Sequence, residues 1–306
     1  MTGRIPRIRC SQIGISAFFF FAFLAATNFA QAAQRYAETG LVLKVDRAKQ
    51  TVIVSCDSIP DVMDAMIMPL DVRDNKSLDG LQPGMKIEFT LVAADDDHDS
   101  YSENIRIRPY ESMENDPSAA RRLTILEKML DDKGPMKEAI ATGQPVPDFA
   151  LTDQNHQRVK LSQFAGQVVA VNFVYVRCPF PNYCFRLSTN FARLQERFRK
   201  QLGSDLVLLT LIIDPVHDSS DSVRDYARIW HADPQAWHFL AGSPSEIQQV
   251  CALFDMNYYP DEALLLHSFH TVVIDRHGKL ASNIEGNDFS AQQLGDLVQT
   301  VMNEPR

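Results

Sequence analysis

The stretch from Val168 to Cys184 constrains the fold of this chain more than any other. It reads VVAVNFVYVRCPFPNYC, an apolar run of strand length that ends in Cys178 and Cys184, with Pro179 and Pro181 between them. An uninterrupted apolar strand predicts the interior of a sheet that is covered on both faces. Two thiolates at the end of such a strand can either exchange electrons as a dithiol or bind a soft metal ion.

The N-terminus has the parts of a secretory signal peptide. Three arginines precede an apolar core at residues 13–26, and Ala30 and Ala32 supply a small-residue cleavage pattern. The apolar core is shorter than the roughly twenty residues that a spanning helix needs. We therefore expect residues 1–32 to be a cleaved signal peptide rather than a membrane anchor. The mature chain is then exported to a bacterial periplasm and keeps no stable membrane span.

The charge and the cysteine content exclude several classes of function. The formal net charge is −9, and the predicted signal segment holds three arginines and no acidic residue, so the mature chain is more acidic still. An acidic protein lacks the electrostatic footprint for nucleic acid, and an anionic membrane surface repels it. Of the five cysteines only Cys10 falls in the signal segment. The others are too few for a disulfide-built scaffold, and a chain of this length buries its own core.

Residues 38–109 read as short strands separated by turns. GLVLKVD and QTVIVS alternate apolar and polar positions, and MIMPLDV, MKIEFTLV and NIRIRP follow, with turn residues between them. Five strands in so short a segment predict a small all-β domain, an OB-like barrel. Residues 110–143 are polar and include one helical pattern, ARRLTILEKML, which predicts a linker and a domain boundary.

Residues 144–306 alternate strand and helix patterns. Apolar strands at 168–176, 206–213 and 271–274 are separated or followed by helical patterns. Such an alternation predicts an α/β domain whose sheet is buried on both faces. The helical patterns lie at about 185–202, 220–231, 243–255 and 290–303. The third has a clear start, because Ser243 and Glu246 have capping-box spacing with a proline at the first helical position.

Cys178 and Cys184 admit three interpretations from their spacing alone. Cys178 ends a buried strand and Cys184 lies near the start of a helix, where backbone amides and the helix dipole favour thiolates. A gap of two residues is typical of redox dithiols, whereas the gap of five here is wider and can still place two sulfurs around Cu(I). A plain stabilising disulfide in an exported protein is the third possibility.

The C-terminal region resembles the SCO/SenC family of thioredoxin-fold copper chaperones. The resemblance rests on PVPDF with the following LTDQNHQRVKLSQFAGQ, the CPFPNYC turn, Ile213-Asp214-Pro215, and HS followed by TVVIDRHGKL. It implies a thioredoxin-like fold for residues 144–306. It also implies copper ligands at Cys178, Cys184 and His267, as the family uses two cysteines and a distant histidine. Many members have three residues between the cysteines, so the gap of five is a departure.

Four further residues in this region need an interpretation. His270 competes with His267 for the ligand position, but His267 has the neighbouring serine that the family shows. Asp214 and Asp218 follow a central strand and are either turn and capping residues or supports of the cysteine site. Cys251 completes an apolar helical stripe with its neighbours, which predicts a buried structural cysteine.

The barrel region contains a second group of soft donor atoms. Cys56 ends one predicted strand, and Met63, Met66 and Met68 follow it. Met66 and Met68 are two residues apart, so on a strand their thioethers share one side, where they could bind Cu(I) or simply pack in the core. The segment VIVSCDSIPDVMDAMIMPLDV with LDGLQPGMKIEFTL also resembles the CusF-like periplasmic copper-binding barrels. This resemblance implies copper ligands at Cys56, Met66 and Met68, with Cys56 standing where that family has histidine.

These features together predict an exported two-domain copper protein that uses Cu(I) or Cu(II). By resemblance, its partner is the copper subunit of a respiratory terminal oxidase or another periplasmic copper protein. One alternative is a thiol-disulfide oxidoreductase that acts on client cysteines through a redox-active Cys178–Cys184 pair and does not need His267. Another is a periplasmic copper-resistance or sensing protein without an oxidase client. Their covalent linkage further suggests copper transfer from the barrel site to the cysteine site.

Overall fold

A computed structural model describes residues 34–93, 101–110, 139–261 and 264–305. The predicted signal peptide, the aspartate run that follows the fourth predicted strand, and most of the predicted linker with its helix lie outside these ranges. Within the described residues, no helix is long and apolar enough to cross a membrane. The domain boundaries proposed from the sequence remain a prediction.

The N-terminal region is an antiparallel sheet, as the alternating sequence patterns predict. Its strands are β1 (Gln34–Asp46), β2 (Thr51–Cys56), β3 (Ile67–Asp71), β4 (Lys86–Ala93) and β5 (Tyr101–Ile107). They lie in the order β3-β2-β1-β4-β5, and a bridge between Val72 and Ser102 joins the two edges. The edge-to-edge bridge closes the sheet into a small barrel. The all-β, OB-like expectation is therefore confirmed.

The barrel core consists of the residues that alternate inward along these strands. Val42, Val52, Val54 and Ile87 are fully buried there, and Cys56 belongs to the same cluster. β1 is long enough to pair with β2 on one side and β4 on the other, with a register shift between Val42 and Lys44. That shift bends the strand so that one ribbon serves both halves of the barrel.

The C-terminal region is built on a five-stranded mixed sheet. The strands of the region are β6 (Ala150–Thr152), β7 (Arg158–Lys160), β8 (Val168–Val174), β9 (Leu206–Ile212), β10 (Trp237–Leu240), β11 (Tyr258–Asp261), β12 (Leu264–His267), β13 (His270–Ile274) and β14 (Leu280–Glu285). β6 pairs with β7 and β11 with β12 in two separate two-stranded sheets. The main sheet has the order β10-β9-β8-β13-β14, in which β8, β9 and β10 are parallel and β13 and β14 are antiparallel. The α/β prediction is confirmed. Several short strands, including β10 and β14, are too brief or too polar to stand out in the sequence.

Helices flank this sheet close to the predicted positions. They are α1 (Arg186–Arg197), α2 (Ser220–Ile229), α3 (Pro244–Leu253) and α4 (Ala291–Met302). The capping box predicted at Ser243 and Glu246 is present at the start of α3. Every residue of β8 and β9 is buried, as expected for strands covered on both faces.

Helix α4 belongs to the C-terminal region and also packs against the barrel. It contacts α1 and β8 on one side and β1 and β2 on the other. The described residues of both regions accordingly belong to one compact unit. The two sheets thus share a helix, which fixes the barrel against the α/β layer.

Candidate functional site

The two cysteines of the opening stretch lie on an irregular turn between β8 and α1. Cys178 is half-buried and Cys184 is buried, and neither is in a disulfide. Pro181–Phe185 forms one wide helical turn before α1 begins. Proline at its first position supports the turn, because the ring fixes φ and the missing N–H is not needed there. The wide spacing is therefore absorbed by a local turn that leaves Cys178 accessible and Cys184 enclosed.

The structure brings His267 directly to Cys184. The Nε2 atom of His267 lies 3.6 Å from the Cys184 Sγ, and its Nδ1 lies 2.7 Å from the Ser268 carbonyl oxygen. A carbonyl can only accept, so Nδ1 carries the proton and the Nε2 lone pair faces the sulfur. This tautomer is the one that a metal-binding imidazole requires.

His267 is positioned by a hairpin that the sequence analysis missed. β11 and β12 pair antiparallel, with Tyr258 opposite His267, so the histidine ends a strand of its own before β13. Edge-on contacts with the rings of Tyr175 and Phe269 fix the plane of the imidazole. The competitor His270 lies on β13, and its Nδ1 is 3.0 Å from the Asn283 Oδ1. The geometry thus favours His267 over His270.

The two cysteines of the turn differ in protonation. A hydrogen bond from the Cys184 thiol, together with turn amides, lowers the pKa of Cys178 to about 6. Burial instead raises the pKa of Cys184 well above its usual range. The expectation that the helix start favours a thiolate at both positions is therefore wrong for Cys184, because desolvation outweighs the local dipoles. At neutral pH the pair is one thiolate and one thiol.

Tyr175 is a third neighbour of the pair that the sequence analysis did not single out. Its buried hydroxyl hydrogen-bonds Cys178, and burial raises its pKa, so it stays protonated. A neutral hydroxyl beside a thiolate is a donor that stabilises the negative charge. The only signal in the sequence is a tyrosine directly after a fully apolar strand, where its ring packs and its hydroxyl reaches the turn.

Asp214 and Asp218 hold the two residues that precede Cys178. The Val176 N–H donates to Asp218 Oδ2 at 2.9 Å, and Arg177 Nη2 donates to Asp214 Oδ2 at 2.8 Å. Both aspartates are buried, and burial raises the pKa of Asp218 to about 6. Of the two interpretations left open by the sequence, support of the cysteine turn is the one that these contacts favour.

The donor set at the turn suits a soft metal ion. Two sulfurs and one imidazole nitrogen match the preference of Cu(I), and hard carboxylate ligands are not part of the group. Among the described residues, no three His, Cys, Asp or Glu side chains already have metal-binding geometry. Cys184 and His267 are in contact, and the Cys178 Sγ lies 3.9 Å from the Phe180 carbonyl oxygen.

Cys251 lies apart from this site. It is buried within α3 alongside Ile247 and Val250, as predicted for a structural cysteine. Burial alone raises the pKa of its thiol. Cys251 is therefore an inert core residue that can serve as a control in experiments on the other cysteines.

The barrel brings Cys56 and the two methionines close together where β2 meets β3. The Cys56 N–H donates to the Met66 carbonyl at 2.9 Å, and Val54 pairs with Met68 in the register of β2 and β3. Residues 54 and 56 share a face of β2, so Met68, opposite Val54, lies on the face that carries Cys56. Met66 directly precedes β3, beside the Cys56 backbone. Met66 is 47% exposed, Met68 is half-buried against the core, and Cys56 is buried.

Cys56 is held as a thiol. Burial, followed by the negative charges of Glu38 and Asp57, raises its pKa to about 12. Gly40 lies opposite Cys56 on β1, where an added Cβ would be 2.4 Å from the Val54 side chain and 2.8 Å from the Ser55 carbonyl oxygen. Only glycine permits this close approach of β1 to the strand end that carries Cys56.

Comparison with family models places both regions. The model described as SCO1/SenC matches residues 137–303, which is more than half of the chain. The chain belongs to the SCO1/SenC family. The model described as copper binding periplasmic protein CusF matches residues 35–102. Copper, the metal expected from the sequence, is thus named in the description of the second family, and both resemblances noted in the sequence are confirmed.

Two curated relatives match the SCO1/SenC member over part of its length. A SCO2-like protein of Rickettsia typhi is 23% identical over 158 residues, which is 49% of this chain and 74% of the relative. Protein SCO1 homolog 1, mitochondrial, of Arabidopsis thaliana is 25% identical over 130 residues, which is 42% of this chain. The matched part is only 36% of that plant protein.

Solved structures of low identity resemble the C-terminal region. Arabidopsis thaliana ScoI with copper bound is 23% identical with a TM-score of 0.45, and the match covers 53% of this chain and 98% of that one. A SCO1/SenC family lipoprotein from Bacillus anthracis is 19% identical with a TM-score of 0.46, covering 53% and 99%. Both matches cover about half of this chain and nearly all of the solved one.

Proposed function

We propose that this chain is a copper-binding chaperone that holds copper at Cys178, Cys184 and His267. The observation that carries the proposal is the contact between the Cys184 sulfur and the His267 Nε2, with the opposite ring nitrogen fixed on the Ser268 carbonyl. The adjacent Cys178 thiolate supplies a ligand that needs no deprotonation at neutral pH. Membership of the SCO1/SenC family supports copper as the metal.

A second copper site in the barrel uses Cys56, Met66 and Met68. Its support is the placement of Met68 on the face of Cys56, the backbone contact of Cys56 with Met66, and the match to the CusF model. One thiol and two thioethers form a soft, weakly charged donor set that suits Cu(I) over harder ions. Because Met66 is exposed, an incoming ion has a first contact at the surface before it reaches the buried sulfur.

The delivery target is a copper centre of a respiratory terminal oxidase, and the compartment is the periplasm. Support comes from the SCO1/SenC family and from the periplasmic description of the CusF model. A net negative charge also suits a protein that handles a cation and docks on a basic patch. In a strain that lacks this gene, oxidase activity at low copper should return with the wild type and not with His267→Ala. Equal rescue by both would contradict delivery through this site.

Copper titration of the reduced protein tests the C-terminal site directly. Competition with a Cu(I) chelator should show an affinity loss of more than about 100-fold for His267→Ala, because even outer-shell metal partners are worth 10- to 100-fold. His277→Ala is the matched control, since His277 is an exposed histidine in the same region. Cys178→Ser should weaken binding similarly, whereas Cys251→Ala should not. Unchanged affinity in His267→Ala and Cys178→Ser would contradict the assignment.

The protonation of the cysteine pair favours a second candidate function, thiol-disulfide exchange. An accessible thiolate beside a buried thiol is the arrangement of an attacking and a resolving cysteine. Such a reductase activity needs both cysteines and does not need His267. Reduction of a disulfide substrate that survives His267→Ala and is lost in Cys178→Ser would support it. Unchanged reductase activity in Cys178→Ser would exclude it.

A further inference from the structure

The strand end that carries Cys56 is bound on both sides of the cysteine by one residue of the C-terminal region. The side-chain amide of Gln293, in α4, donates to the Ser55 carbonyl at 3.1 Å and to Asp57 Oδ1 at 3.0 Å. An amide group has two N–H donors, so both are used on the neighbours of Cys56. These contacts place the backbone before Cys56 and the side chain after it.

Gln293 is itself firmly held. It is only 2% exposed, and its Oε1 accepts from the Ser290 N–H at 3.0 Å and from Lys86 Nζ at 3.3 Å. Lys86 also pairs with Asp57 Oδ2 at 3.0 Å, which joins the barrel and the helix in one closed network. A buried polar network that is fully satisfied is rigid, because every alternative leaves a buried group unpaired.

A second contact lies one helical turn further along α4. Asp296 accepts from the Ser55 hydroxyl at 2.8 Å and from Arg197 Nη2 at 2.7 Å, and it is 4% exposed. Residues 293 and 296 lie on the same face of the helix. One face of α4 therefore hydrogen-bonds Ser55 at both its carbonyl and its hydroxyl.

These contacts matter for metal binding because Cys56 is the last residue of β2. Its N–H donates to the Met66 carbonyl, β3 begins only after Met66, and the next barrel bond is the one from the Asp57 N–H to the Thr39 carbonyl at 2.9 Å. The position of the Cys56 sulfur relative to the methionines thus depends on how residues 55 and 57 are held. Within the described residues, the side chain that donates to both of them is Gln293.

We propose that Gln293 is a positioning residue for the barrel copper site, acting through Ser55 and Asp57 on Cys56. The inference rests on the proposed barrel site and extends it. The barrel site is completed by a helix of the SCO1/SenC region, so the two regions form one copper-binding unit. Loss of the Gln293 donors leaves Cys56 present but misplaced, which lowers affinity without removing a ligand.

The test measures Cu(I) affinity in a parent chain that carries Cys178→Ser and His267→Ala, so that only the barrel site remains. Gln293→Ala in this parent should weaken Cu(I) binding about 10- to 100-fold, as expected for loss of an outer-shell support. Gln293→Glu keeps the acceptor for Ser290 and Lys86 but lacks both donors, and it should weaken binding in the same way. Gln299→Ala is the matched control and should leave affinity unchanged, because this half-buried glutamine on the same helix donates to Asn303.

A double-mutant cycle separates positioning from a general structural effect. If Gln293 acts through Cys56, Gln293→Ala should have little effect on the residual affinity of a Cys56→Ser parent. An equal loss in both parents, or none in the first parent with Gln293→Ala and Gln293→Glu, would overturn the inference. A parent chain that binds no Cu(I) would overturn the barrel site itself and the inference with it.

Discussion

The two candidate copper sites have similar donor atoms and opposite electrostatics. On the C-terminal turn, Cys178 is a thiolate near neutral pH because a thiol, turn amides and a tyrosine hydroxyl donate to it. In the barrel, Cys56 is a thiol because it is buried and two carboxylates lie nearby. A cysteine sulfur is therefore already deprotonated for metal binding in one region, whereas in the other it must first lose a proton. Residue type alone does not determine the protonation state of a candidate ligand.

The supports of the two sites differ as well. The cysteine turn is held from within its own region, by Asp214 and Asp218 on the loop that follows β9. The Cys56 strand end is held by barrel contacts to Asp57 from Thr39 and Lys86, and also from outside the barrel by Gln293 and Asp296 of α4. The contacts described for the C-terminal site thus come from its own region, whereas those of the barrel site come from the barrel and from α4.

Thiol alkylation should show the largest contrast between the two regions. At pH 7 a pKa of about 6 for Cys178 and about 12 for Cys56 separates their thiolate fractions by about 10⁵. The lower nucleophilicity of the more acidic thiolate offsets part of this, which leaves a rate ratio of at least about 100-fold. Residue-resolved mass spectrometry after iodoacetamide pulses, at several pH values, provides the measurement. Comparable alkylation rates for the two cysteines would contradict the difference in protonation between Cys178 and Cys56.

Substitution of Met66 should have a smaller effect, confined to the barrel. Met66→Ala in the parent chain without the C-terminal site should weaken Cu(I) binding at least about tenfold, because it removes a proposed ligand. Its stability should change little, since the side chain is 47% exposed. Val62→Ala is a matched control, as Val62 is a similarly exposed apolar residue of the same loop. If both variants bind like the parent, Met66 is not a ligand.

Asp218→Asn should give the smallest effect, a change in the pH dependence of stability. Burial raises the pKa of Asp218 from 3.8 to about 6, so its stabilising contribution is complete below pH 3.8 and is lost as pH rises through about 6. Relative to the variant, the wild type should lose up to about 2 kcal/mol of unfolding free energy between pH 4 and pH 7. Asparagine keeps an oxygen that can accept from the Val176 N–H.

Urea unfolding of the wild type and the Asp218→Asn variant at each pH provides this measurement. Asp225→Asn, on the exposed face of α2, should shift stability by no more than about 0.5 kcal/mol at any pH. If the difference in unfolding free energy between wild type and Asp218→Asn does not vary with pH, burial of the Asp218 charge does not destabilise the folded state.

The sequence predicted what depends on local pattern. The barrel strands, the buried strands β8 and β9, the helices and the capping box at Ser243 follow from periodicity and from turn chemistry. The fold family and the ligand set came from resemblance, and the contact between Cys184 and His267 agrees with it. Strands and helices show a pattern that repeats over several residues, and the proposed ligands are cysteine and histidine, which are rare in this sequence.

The features that escaped prediction depend on tertiary contacts. Gln293 reads in the sequence as an ordinary helix-start residue, and only the docking of α4 on β2 gives it partners at Ser55 and Asp57. Likewise, burial of Cys184 is set by packing of the whole turn, so its protonation could not be inferred from a position near a helix start. Desolvation depends on tertiary packing, so it cannot be predicted from the local sequence around one residue.

Titration of the reduced full chain with Cu(I) against a competing chelator tests the central claim most directly. We expect two equivalents at pH 7, of which the first, tighter one protects Cys178 from alkylation and disappears in His267→Ala. The second, weaker equivalent should disappear in Cys56→Ser, while the first remains. A single equivalent, or a tight equivalent that persists in His267→Ala, would contradict two unlike copper sites in one chain.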